Sequence, residues 1–274
     1  MYTSTRERVF VFFIAGQRGP EFPRDDKRGT EMTSMFTSRL STIALIAAAT
    51  GAAHAGITDS VVTFDNGMEG FNVTGGFNDI LPAGGNDGAY LNSITESFGV
   101  EWHTRSNDAF LGDYTQYDQV TLSIDVQVDS IQFFGQDATR SLVVELRNSR
   151  YSAGIFEYGS VFFVLDRNIN AVNNADWMTF SVTFDPNSTD LPAGWGGYGG
   201  SDDADGPVLP DGATFADVVS NVDQFLFSTM VPVERYPFTN FDIAVDNISI
   251  STVPAPSALA LIGLSGLVGT RRKR

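Results

Sequence analysis

The sequence predicts an all-β protein, an antiparallel two-sheet sandwich, and three observations carry that prediction. Between residues 56 and 252 the apolar residues recur with period two. Clusters of Gly, Asn and Asp separate the periodic runs, as turns separate strands. With 42% hydrophobic residues and 22 Phe, the chain is too apolar and aromatic to remain disordered.

Residues 1–31 precede Met32 and Met35 and read as an upstream extension outside the fold. From Met32 the chain carries the basic Arg39, an apolar run from Leu40 to Ala49, and small residues up to Gly56. Ala53-His54-Ala55 is an A-x-A cleavage site, so residues 32–55 are expected to be a secretory signal peptide cut by signal peptidase after Ala55.

The body, residues 56–252, is expected to be one domain. Val120, Leu122, Ile124, Val126 and Val128 alternate with Thr121, Ser123, Asp125 and Gln127, which makes a half-buried strand. Leu142, Val144 and Leu146 repeat the pattern, and Met178, Phe180, Val182 and Phe184 do so with Thr179, Ser181 and Thr183 between them. Gly194 to Gly212 reads as a long surface loop, rich in glycine at its start and holding two prolines later. A short helix follows at 215–221, where Thr214 and Asp217 form a capping-box-like pair and Phe215, Val218, Val219 and Val222 share one face. Phe241, Ile243 and Val245 begin the terminal strand, and the apolar phase slips between Val245 and Ile248, which predicts a bulge at Asp246-Asn247.

Charge narrows the function. Residues 56–253 hold six arginines, no lysine and 28 acids, a net charge of −22 that repels nucleic acid and anionic lipid. The absence of cysteine excludes disulfides, thiolate metal sites and cysteine nucleophiles. His103 is the body's single imidazole and no G-x-S-x-G elbow is present, so Ser-His-Asp hydrolysis is not expected. Glu101, Glu145 and Glu157 are scattered carboxylates, without the compact strand signature of a sandwich-fold glycosidase, and pair more naturally with nearby arginines.

Two kinds of binding chemistry remain. Trp102, Trp195 and Tyr198 are the aromatic side chains assigned to stacking on sugar rings. A structural calcium is the expected cofactor, with Asp65, Glu69 and Asp246 as candidate ligands, because a hard cation takes carboxylate and carbonyl oxygens. An ordinary turn at Asp65-Asn66-Gly67 explains the same residues equally well. Asp202, Asp203, Asp205 and Asp211 lack the later glutamate of an EF-hand loop and form a weak second candidate.

Gly84-Gly85-Asn86-Asp87-Gly88-Ala89-Tyr90-Leu91, then Phe110-Leu111-Gly112-Asp113-Tyr114, Leu122-Ser123-Ile124-Asp125 and the closing Phe241–Ile250 run resemble the laminin B (laminin IV type A) domain. The resemblance implies a jelly-roll sandwich related to galactose-binding-like and carbohydrate-binding modules. It also implies neighbouring first and last strands, with the calcium of related modules where they meet.

The other end, residues 253–274, reads Val253-Pro254-Ala255-Pro256, an apolar run from Ala258 to Thr270, then Arg271-Arg272-Lys273-Arg274. As a helix this run rises about 20 Å, short of a ~30 Å hydrocarbon core. A proline break, short apolar helix and basic stop resemble the PEP-CTERM sorting signal of bacterial exported proteins, which implies removal by an exosortase; Ala255 stands where that signal has glutamate. A permanent weak anchor is the alternative.

These readings converge on an exported surface or matrix protein, a non-catalytic module that binds an extracellular polysaccharide. A structural or adhesive matrix component is the second reading and a glycoside hydrolase the third.

Overall fold

The computed structural model describes residues 59–152, 157–200, 208–232 and 234–255. Among them the strands are β1 (Ser60–Val62), β2 (Phe71–Val73), β3 (Phe77–Leu81), β4 (Tyr90–Ser97), β5 (Glu101–Thr104), β6 (Tyr117–Phe133), β7 (Gln136–Asp137), β8 (Arg140–Asn148), β9 (Gly159–Ile169), β10 (Met178–Phe184), β11 (Trp195–Tyr198), β12 (Gln224–Ser228) and β13 (Thr239–Pro254), with one α-helix, α1 (Phe215–Val219), and three short 3-10 turns. They form the expected jelly-roll sandwich of two antiparallel sheets. The first sheet has the order β10-β6-β13-β4-β3, with β1 on β13 and β7 on β6. The second runs β11-β9-β8-β12-β5-β2.

Alternation decides which side chains fill the gap between the sheets. Leu122, Ile124, Phe241, Ile243 and Val245 enter the core from the first sheet, and Trp102, Val144, Leu146, Phe225 and Phe227 enter it from the second. Each buried aliphatic or aromatic side chain contributes roughly 1.5–3 kcal/mol, so these rows hold the sheets together. Their polar neighbours on the same strands point outward, and those outer faces carry the candidate chemistry.

The predicted bulge is present. The β13–β6 register shifts between Asp246 and Ser249, and Asn247 takes a φ of 48°. β1 pairs with β13, placing the first and last strands side by side. The Gly194–Gly212 expectation needs correction at its start, because Trp195–Tyr198 is an edge strand on β9 rather than loop. Gly196 permits it: a Cβ there would lie 2.3 Å from the Phe162 ring. Phe64 to Glu69 also fall outside the strands, in the turn after β1.

Candidate functional site

On the outer face of the second sheet, Glu101 from β5, Glu145 and Arg147 from β8, Tyr158 ahead of β9, Tyr198 from β11 and the Met230–Pro232 segment line a cavity of about 190 Å³. Glu145 and Arg147 reach it because Val144 and Leu146, alternating with them, face the core. Arg147 organises the floor. Its Nη2 lies 2.7 Å from Glu145 and 3.4 Å from Glu101, and its guanidinium carbon sits 4.4 Å from the centroid of the Tyr158 ring. The Ser160 hydroxyl donates to the other Glu145 oxygen at 2.6 Å.

Burial opposes the charge on Arg147, yet the adjoining Glu145 carboxylate outweighs it and holds the guanidinium pKa above its ordinary value. Burial, followed by the Glu145 charge, pushes the Tyr158 phenol up, so it stays a neutral donor. Tyr158 and Tyr198 form the aromatic wall, their centroids 5.7 Å apart. Val143, Phe162 and Val231 supply an apolar bed beneath Tyr198. His103 shares this outer face; burial lowers its pKa, and its Nδ1 is buried without a hydrogen-bond partner.

A second polar cluster lies on the first sheet. Asp125 and Asp246 are cross-strand partners on β6 and β13. The loop after β3 reaches over them: Asn86 donates its backbone N–H to Asp246 at 2.9 Å and its side-chain amide to Asp125 at 2.8 Å. Asn247 donates its backbone N–H to Asp246 and its amide to Asp125, at 2.7 and 2.9 Å. Gly85 is required there, since a Cβ would sit 2.6 Å from Asp246 Oδ2. Asp65 holds the same loop through Ala89 N–H at 3.1 Å.

The expected calcium ligands are thus partly assembled. Asp65 and Asp246 face one loop, whereas Glu69 does not join them; its backbone carbonyl accepts from Asn107 and its Oε1 is buried without a partner. Among the described residues no group of three or more His, Asp or Glu is placed to hold a metal. Asp125 was not anticipated, although its outward position in the Val120–Val128 alternation was the available signal.

Two aromatic assignments need correction. Trp102 is fully buried, with its indole N–H donated to Ser93 at 3.1 Å, and presents no ring to a ligand. Trp195 is 8% exposed and packed among Phe163, Phe184 and Phe215. Tyr198 alone of the three lines the cavity. Val253 and Pro254 are the last residues of β13, paired with Gln119 and Tyr117, and Ala255 N–H reaches the Gln116 carbonyl. Ala53, Ala55, Pro256, Arg271 and Arg272 lie outside the described residues, as do Asp202, Asp203 and Asp205.

No protein-family model matches the chain, and no curated protein matches it in sequence. Among solved structures it is similar to the C-terminal family 22 carbohydrate-binding module of Clostridium thermocellum Xyn10B, at TM-score 0.38 and 9% identity over 71% of this chain and 93% of that one. A family 30 carbohydrate-binding module matches at TM-score 0.35 and 13% identity, over 73% and 88% of the two chains. An exo-beta-agarase matches at TM-score 0.41 and 10% identity over 72% of this chain, which spans 25% of the agarase's length.

Proposed function

We propose that this chain is a non-catalytic glycan-binding module of an exported protein, and that the cavity on the second sheet is its glycan site. The observation that carries this reading is the pairing of the Tyr158–Tyr198 wall with a fixed carboxylate–guanidinium floor. A sugar has an apolar C–H face and a rim of hydroxyls, each both donor and acceptor. Aromatic rings cover the face, while Glu101 accepts and Arg147 donates at the rim. At about 190 Å³ the cavity is below the ~300–1,000 Å³ of drug-sized pockets, which suits a single sugar unit of a longer chain.

The same geometry argues against the glycosidase reading. Glu101 and Glu145 share one guanidinium nitrogen, so neither stands as the separate proton donor that glycoside cleavage needs. Export through the 32–55 leader and sorting through the 253–274 tail complete the proposal on sequence grounds. Calcium keeps a narrower form, with Asp65 and Asp246 as its carboxylates and oxygens of the loop they hold completing the shell.

A glycan array probed with the full chain, followed by calorimetry on each hit, tests the function. Tyr198→Ala is expected to weaken binding about tenfold or more, from lost stacking. An array with no retained glycan, or unchanged affinity in Tyr198→Ala, would overturn it.

A further inference from the structure

We propose that the opposite face of the sandwich carries a second saccharide groove, for a neutral polysaccharide, so that one chain crosslinks two glycan strands. The proposal rests on the glycan reading of the first cavity for its second arm. The groove has a volume of about 510 Å³ and runs across the outer face of the first sheet. Phe77, Ile94, Asp242 and Ser130 form one cross-strand row over β3, β4, β13 and β6. At ~4.8 Å between strands the row is about 14 Å long, room for a short run of linked sugar rings. The two faces are opposed because Asp242 alternates with the core residues Phe241 and Ile243, as Glu145 alternates with Val144 and Leu146.

Three features identify the ligand's chemistry. Phe77 is 81% exposed and Ile94 beside it 49%, a paired apolar platform left open to solvent on a body otherwise rich in acids. Asp242 Oδ1 is buried with no hydrogen-bond partner. A buried carboxylate oxygen without a donor is costly, and a ligand hydroxyl supplies that donor. Glu96 and Asn240 border the groove with further acceptors. Partial burial, and then the Asp242 charge, raise the pKa of neighbouring Asp129, and the two carboxylates repel on this face. Uronic or sulfated chains are therefore disfavoured, while a neutral polyol that stacks on Phe77 and donates to Asp242 satisfies both demands.

The test titrates the full chain with neutral hexasaccharides of β-1,4-glucan, β-1,4-xylan and agar, then measures turbidity with the parent soluble polymers. Wild type is expected to take two hexasaccharides per chain and to cloud the polymer. Phe77→Ala should leave one site and abolish clouding with the melting temperature unchanged, since Phe77 is a surface side chain, and Asp242→Ala should do the same without lowering it, since Asp242 Oδ1 has no partner to lose. Tyr198→Ala should leave the other site. A single site in wild type that survives Phe77→Ala but disappears in Tyr198→Ala overturns the second groove and leaves the first cavity standing. Dimerisation abolished by Phe77→Ala, without a second saccharide site, also overturns it. No hexasaccharide bound at either face overturns the glycan reading itself.

Discussion

Asp246 on β13 stands directly opposite Asp125 on β6, and the two carboxylates are 0% and 4% exposed. Like charges in facing strand positions destabilise a sheet, and burial makes the conflict worse. The fold answers with donors rather than with a cationic side chain: Asn86 and Asn247 bridge the pair, and the Thr179 hydroxyl donates to Asp125 at 2.6 Å. The conflict is only partly relieved. Burial first, then the Asp125 and Asp65 charges, push the Asp246 pKa up to about 6 against the lowering effect of the two backbone N–H donors.

The first prediction is the resulting pH dependence. A carboxyl group that titrates near 6 when folded and near 3.8 when unfolded binds its proton more tightly in the native state. Its contribution therefore destabilises the protein above pH 6 and is relieved as pH falls from about 6 towards 4, by a few kcal/mol at most. Thermal melts in chelator from pH 7.5 to 5 should show stability rising as pH falls, and Asp246→Asn should flatten that slope. The slope is the readout, because the amide loses one acceptor position and shifts the whole curve.

Calcium makes the opposite demand, and this contrast supplies the second prediction. A cation held by Asp65 and Asp246 competes with the proton, so with calcium present stability should rise with pH through 6. The gain is about 2.7 kcal/mol at one hundred times the dissociation constant. Asp65→Asn should remove the response, and sodium at matched ionic strength should not reproduce it. A calcium response equal to that of sodium, or one that survives Asp65→Asn, leaves only a hydrogen-bonded acid pair at this position.

Local pattern was legible in the sequence and long-range convergence was not. The β10 strand matches its alternation from Thr179 to Phe184, with only Met178 at its start turned out to solvent, Thr214 and Asp217 form the reciprocal cap on α1, and the slipped phase at Val245 located a real bulge. Each of these is decided within a few residues. Trp102 was misjudged although the local rule was at hand: in Glu101-Trp102-His103-Thr104, alternation sends the indole to the face opposite Glu101 and His103. Trp195 was misread because glycines weaken a strand signal, while the packing of Phe162 over Gly196 lies 34 residues back along the chain. The cavity joins Glu101, Arg147, Tyr158 and Tyr198 from four different strands or strand ends, and no spacing rule reports that.

The third prediction separates core from site. Trp102→Ala removes a fully buried indole and strands the Ser93 hydroxyl, at a cost of about 3–5 kcal/mol. Tyr198→Ala should cost much less stability and lose glycan affinity instead. Denaturant midpoints and calorimetry on the two variants check this, and a large affinity loss in folded Trp102→Phe would reverse the assignment.

The fourth prediction concerns why an ion network sits at the cavity floor. The Glu145 side chain is 3% exposed and its charge is matched mainly by Arg147 at 2.7 Å. Removing the guanidinium alone leaves a buried carboxylate with only the Ser160 hydroxyl, so Arg147→Ala should cost about 3–5 kcal/mol. Replacing both members with apolar residues of similar volume, Arg147→Met with Glu145→Leu, should restore most of that stability, because a well-packed apolar pair rivals a buried ion pair. If the network serves stability alone, the double variant should bind glycan as wild type does. If it serves recognition, the double variant should be stable and inert, while Arg147→Lys, which keeps the charge but lacks the planar fork over Tyr158, should bind with intermediate affinity. The expected outcome is the second, since the network costs desolvation that only a ligand's hydroxyls make worthwhile.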